Sequence, residues 1–92
     1  MSRNQSEFYP GAILHEVIVG AFRSRGTTFE GWAKENGLTP MNARNATFGQ
    51  SRGEIGRANL ERIIEAAGRD FVRDAYRRRL VEHMAMLGKD AA

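Results

Sequence analysis

A chain of 92 residues with a formal net charge of +3 and a pI near 10.0 is one small basic domain. It is too short for a metabolic enzyme built around a deep cleft, and without cysteine it has neither a disulfide framework nor a thiolate metal site. No apolar run reaches the roughly 20 residues of a membrane span, and the polar start Met1 to Glu7 lacks a signal-peptide core, so the expected location is the cytoplasm.

Residues 1–9 show no periodicity and read as a flexible N-terminal arm. From Pro10 the pattern changes. Ile13, Leu14, Val17, Ile18, Ala21 and Phe22 recur at helical spacing, and Gly26 stops this first helix. Thr27 and Glu30 form a capping box that opens a second helix. Phe29, Trp32 and Ala33 give that helix an inward face, and Gly31 weakens it. Ala33 is small where two helices must cross closely, and Gly37 suits a turn that needs positive φ. Leu38 points to the core. Thr39 then caps a third helix, with Pro40 at its first position. This order of features reads as a helix-turn-helix, which presents the start of its second helix to the major groove of DNA.

The third helix runs to about Phe48, and Gly49-Gln50 breaks it. Ser51 and Glu54 form a second capping box, so a fourth helix starts there, or nearer Asn59 because Gly53 and Gly56 weaken its first turns. Ile55, Leu60, Ile63, Ile64 and Ala67 supply its apolar face, and Gly68 ends it. Phe71, Val72, Ala75, Tyr76, Leu80, Met84 and Leu87 describe a longer fifth helix. No strand pattern stands beside these. The predicted fold is all-α, a compact four- to five-helix bundle whose helix-turn-helix domain spans residues 10–68 and whose extended C-terminal helix, with a short tail, lies in residues 69–92.

Charge is segregated along the chain. From Leu38 to Gly53 there are two arginines and no acid, and from Arg69 to Arg79 five arginines face only Asp70 and Asp74. The first run points to a polyanion. The second fits either a polyanion or a solvated helix face.

Phased from Pro40, the third helix turns Ala43 and Ala46 to the bundle and Met41, Asn42 and Asn45 outward, with Arg44 on the flank. These four are the candidate base readers. Asn bonds the adenine edge, Arg bonds guanine, and Met packs on the thymine methyl. Thr28, Thr39, Gln50 and Arg52 are the candidate phosphate contacts, since hydroxyls and free N–H groups at helix starts bind anions. Arg23 and Arg25 fit the end of the first helix, and Arg3 lies on the arm. Trp32 is the expected filler of the volume that Ala43 and Ala46 leave. On the fifth helix, Val72, Tyr76, Leu80, Met84 and Leu87 make one stripe. Tyr76, Leu80, Met84 and Leu87 form its outer part, the candidate dimer interface. The alternative is a helix folded fully back on its own core.

Catalysis has no foothold. His15 and His83 lack metal-ligand spacing, the glutamates at Glu54, Glu61 and Glu65 match arginines at helix-pair spacing, and the glycines form no phosphate loop. No cofactor and no metal are expected.

The first helix with its terminal Arg25-Gly26, the capped second helix and the pair Ala33 and Gly37 resemble the lambda-repressor-like DNA-binding domains. Within that group, Gly37-Leu38-Thr39-Pro40 followed by Arg44-Asn45-Ala46 looks like the Ner-like phage transcriptional regulators, and Leu60 to Gly68 resembles their following helix. The resemblance covers Ile13 to Gly68. It implies a regulator, a repressor of phage or prophage type, that binds a palindromic operator in double-stranded DNA as a homodimer on the nucleoid. Three features depart from the pattern. Alanines replace branched aliphatics at positions 43 and 46, Asn36 precedes the turn glycine, and the Trp-Pro ending is missing. A second function class stays open: an antitoxin or adaptor whose C-terminal helix holds a small protein partner, with DNA binding only autoregulatory. A third is a non-DNA interaction module on the same fold.

Overall fold

The computed structural model describes residues 7–51 and 53–91, so Arg3 and Arg52 lie outside the described residues. It is all-α. Five helices follow in order: α1 (Ala12–Ser24), α2 (Phe29–Glu35), α3 (Pro40–Phe48), α4 (Glu54–Ala67) and α5 (Arg69–Ala91). Among the described residues no helix is long and apolar enough to cross a membrane.

The core forms where the helical stripes meet. Leu14, Val17, Ile18, Ala21 and Phe22 of α1 are buried against Leu60, Ile63, Ile64 and Ala67 of α4 and Val72 and Tyr76 of α5. Burial of large apolar side chains is the main favourable term here, roughly 1.5–3 kcal/mol for each one fully covered. Short helices such as α2, seven residues long, have no stability alone. They persist because Phe29 and Ala33 are buried on the same core.

Local chemistry sets the ends. The α2 helix begins one residue later than its sequence suggests: Thr28, not Thr27, is the cap, and its hydroxyl oxygen accepts the Gly31 N–H at 3.0 Å. At the other end Gly37 takes φ +79°, so Leu38 N–H reaches the Ala33 carbonyl at 2.9 Å and Gly37 N–H the Lys34 carbonyl at 3.4 Å. This pair of bonds is a Schellman stop. Asn36, the departure at the turn, belongs to that stop. Its side-chain amide donates to the Trp32 carbonyl at 2.8 Å, and its own carbonyl accepts from Arg62 at 3.0 Å.

Several expectations are corrected. The cap of α4 is Gly53, with no side-chain hydrogen bond, rather than Ser51. Gly56 is buried and Ile55 is 78% exposed, because the inward stripe runs through positions 56, 60, 63, 64 and 67 and passes Ile55 by. Gly56 is no weak point: a Cβ there would fall inside van der Waals contact of the Ser51 backbone, so the close approach needs glycine. Phe71 is likewise about 100° round the helix from Val72 and is exposed, while Val72 is buried. Trp32 is only half-buried; its ring lies 5.6 Å from that of Phe22, at the edge of the core.

The largest correction concerns residues 7–9, which dock on α5 instead of forming free arm. Phe8 is 3% exposed, with its ring 5.7 Å from that of Tyr76 and 5.9 Å from the Arg69 guanidinium carbon. Tyr9 N–H donates to the Tyr76 hydroxyl at 3.1 Å, and that hydroxyl donates to the Tyr9 carbonyl at 3.3 Å. Glu7 pairs with Arg73 at 3.1 Å. Tyr76 therefore belongs to the core of one chain, at 4% exposure; the outer stripe starts at Leu80.

Phe8→Ala is expected to cost about 3–5 kcal/mol, the range for deleting a buried aromatic ring. Urea unfolding measures it. A shift below about 1 kcal/mol, as for a surface site, would mean that the segment is free in solution.

Candidate nucleic-acid interface

The α3 helix is held by small residues. Ala43, Ala46 and Thr47 are its buried positions, and small inward side chains let the helix sit close to α1 and α4. Thr39 caps it, accepting the Asn42 N–H at 3.0 Å, and Pro40 opens its first turn. Gly49, in the left-handed region at φ +88°, ends it. The Asn45 carbonyl there accepts the N–H groups of Gly49, Gln50 and Ser51 at 3.1, 2.9 and 3.2 Å.

Thr47 is fully buried and ties α3 to the chain before it and to α1. Its carbonyl accepts the Gly11 N–H at 2.8 Å. Its hydroxyl donates to the Arg44 carbonyl at 3.1 Å and meets His15 Nδ1 at 2.9 Å. A hydroxyl has one proton. With that proton on the Arg44 carbonyl, His15 must donate from Nδ1. The His15 ring also stacks on Phe48, centroids 4.2 Å apart, and meets Phe29 edge-on at 5.9 Å. Burial lowers the His15 pKa, the nearby Arg44 cation lowers it further, and Glu16 opposes the shift.

The phase set by Thr39-Pro40 leaves the opposite face of α3 uncovered. Met41 is 69% exposed. Asn42 and Arg44 are exposed, and Asn45 is half-buried. Met41, Asn45 and Phe48 share one stripe, with Asn42 and Arg44 on its two sides. No acidic residue stands on this helix. Thr39 and Gln50 are exposed at its two ends, and Thr28 is exposed at the start of α2. Arg25 is drawn elsewhere, since its guanidinium lies beside Gly68 at the α4–α5 corner.

Sequence reasoning missed two residues. The sequence marks Phe48 only as a helix end, yet its partly exposed ring belongs to the outward stripe. The sequence reads His15 as an ordinary helix residue, yet it joins α1 to α3. Its partner is 32 positions away, and no local pattern announces such a pair.

The second arginine run has a different use. Arg69 pairs with Glu65 and Glu61, Arg73 with Asp70 and Glu7, and Arg79 with Glu16. These pairs join α5 to α4, to residue 7 and to α1. Each is partly exposed, screened by solvent, and contributes little singly. Arg77 and Arg78 are exposed and make no ion pair among the described residues. Among those residues no cluster of His, Asp and Glu is arranged to hold a metal ion.

Beyond Arg79 the α5 helix leaves the body. Leu80, Val81, Met84 and Leu87 are all exposed, Met84 at 67%. Leu80, Met84 and Leu87 continue the stripe whose earlier members, Val72 and Tyr76, are buried, and Val81 stands beside it.

The chain matches no protein-family model, no curated protein and no solved structure.

The His15 environment gives a pH dependence of definite sign. The folded state binds this proton less tightly than the unfolded state, whose ordinary value is 6.5. Stability is therefore full above that value and falls with pH until the folded pKa is passed. Urea midpoints between about pH 7 and 5 should decline, and His15→Asn should flatten that decline while His83 stays in place. An equal decline in the variant would assign the effect to other groups.

Proposed function

We infer that the chain is a sequence-specific DNA-binding transcriptional regulator of the lambda-repressor-like kind, related to Ner-like phage regulators, and that α3 is its reading helix. The observation that carries this reading is the division of α3 into a small, buried face and an uncovered face bearing Met41, Asn42, Arg44 and Asn45. A helix of this size enters the major groove end-first. There Asn42 and Asn45 offer paired donor and acceptor groups to adenine, Arg44 offers a fork to guanine or phosphate, and Met41 offers an apolar tip to a thymine methyl. Thr28, Thr39 and Gln50 stand where backbone phosphates flank such a helix, and Arg52 is a phosphate contact expected from the sequence alone. The absence of acid from Leu38 to Gly53 favours approach to a polyanion.

Function follows by occupancy of a palindromic operator. A bound protein on the nucleoid blocks polymerase and so represses, with no cofactor. The uncovered end of α5 supports a homodimer: Leu80, Met84 and Leu87 of two copies, paired about a two-fold axis, would set two α3 helices on half-sites one helical turn apart. The same apolar overhang favours a second reading, an antitoxin or adaptor that holds a small protein on α5 and binds DNA only to regulate itself. Co-purification of such a protein would select that reading.

Binding-site selection followed by titration tests the reading helix. Asn42→Ala and Asn45→Ala are each expected to lose about 1–3 kcal/mol on the selected site with little change in stability. Wild-type affinity in both would remove α3 from the role.

The overhang has its own test. Leu80→Asp combined with Leu87→Asp should leave helicity intact, convert a dimer to a monomer in ultracentrifugation and lose most operator affinity. A wild-type chain already monomeric at micromolar concentration would sink the dimer and leave α5 to another partner.

A further inference from the structure

A hollow of about 260 Å³ lies between α1, the start of α2 and the start of α3. Its floor is apolar: Val19, Phe29 and Ala43. Its rim is charged: Arg23 from α1, Glu30 from α2 and Arg44 from α3. The three rim groups are exposed, and none makes an ion pair among the described residues. On α5 the arginines at 69, 73 and 79 are all paired with carboxylates. At this hollow two guanidinium groups and a carboxylate stand round an apolar floor without pairing with one another.

The volume is below the range of pockets that take drug-sized ligands, so an occupant has about ten heavy atoms. Its chemistry follows from the rim. Two arginines favour a carboxylate, which they bind by charge-assisted, forked hydrogen bonds. Glu30 would repel a ligand that is only anionic, and it favours an ammonium group beside the carboxylate. The floor favours an apolar body. His15 also lines the hollow; its Nδ1 is committed to Thr47, and its ring adds an aromatic wall. The geometry points to a binding site for a free α-amino acid with an apolar side chain: its carboxylate on Arg23 and Arg44, its ammonium on Glu30, its side chain on Val19, Phe29 and Ala43.

This site ties three helices together through one small molecule. Arg44 also stands on the face assigned above to DNA, and an occupied hollow and a DNA duplex would compete for that guanidinium. That consequence rests on the DNA-binding reading. The site itself does not, and its test contains no DNA.

Amide-detected NMR titration of the full chain with L-leucine and L-phenylalanine tests it. Dissociation constants of about 0.1–1 mM are expected for ligands of this size, with shifts centred on Val19, Glu30, Ala43 and Arg44. N-acetyl-L-phenylalanine lacks the ammonium group and L-phenylalaninamide lacks the carboxylate. Each should bind about tenfold or more weakly. Arg44→Gln should weaken the free amino acid and leave the amide unchanged. Glu30→Gln should abolish the discrimination against the N-acetyl form. The same spectra report whether each variant is folded, and an unfolded one is replaced by Arg44→Lys or Glu30→Asp, which keep the charge but should still weaken binding by misplacing it. Absence of shifts with both amino acids, shifts centred outside the hollow, or equal affinity for the N-acetyl form would each overturn the assignment.

Discussion

Thr47 joins more of this molecule than its size suggests. A nine-residue helix with only alanines and a threonine facing inward buries little apolar area, and hydrophobic burial scales with that area. Polar contacts of fixed direction make up part of the deficit. The Thr47 carbonyl holds the turn before α1 through Gly11, and its hydroxyl holds α1 itself through His15. Because Thr47 is wholly enclosed, each bond it makes is also one it cannot exchange for water, and losing the partner costs more than the bond contributes. The orientation of α3, and with it the set of side chains shown to solvent, depends on this one residue.

Much of this arrangement was legible in the sequence. Apolar spacing marks α1, α4 and α5 because each buries a long stripe, and a stripe is a local property. Thr39-Pro40 fixes the phase of α3, which is why Ala43 and Ala46 fall inward and Met41 and Asn42 outward as expected. Gly37 marks the turn because few other residues take its φ. What escaped was not local. Phe8 lies in a segment without periodicity, and its burial depends on Arg69 and Tyr76, more than 60 positions later. Two aromatics before Pro10, with no apolar repeat around them, carry no signal of that kind. Gly56 looked like a helix-weakening residue, and only the backbone passing over it at Ser51 explains why no side chain fits. Thr27 and Thr28 differ by one position, and either satisfies a capping pattern.

The arginines divide into two groups by partner. Those at 69, 73 and 79 face carboxylates on other elements and fix the direction in which α5 crosses the body. Arg23 and Arg44 face none. Paired guanidinium groups therefore lie where α5 meets the rest of the body, while Arg23 on α1, Arg44 on α3 and Arg77 and Arg78 on α5 make no ion pair among the described residues. Composition alone treats all these arginines alike. Their partners, set by the fold, separate them.

The order of synthesis gives the packing of α1 a further meaning. α1 is the most apolar helix and is made first. It packs more extensively on α5, made last, than on any other element, and residues 7–9 also wait for Tyr76. As the chain leaves the ribosome, Leu14, Ile18 and Phe22 stay without their full cover until Val72 and Tyr76, about 50 to 60 positions later, have followed them. Contacts of such long sequence separation slow closure, and an uncovered apolar helix invites association with other nascent chains.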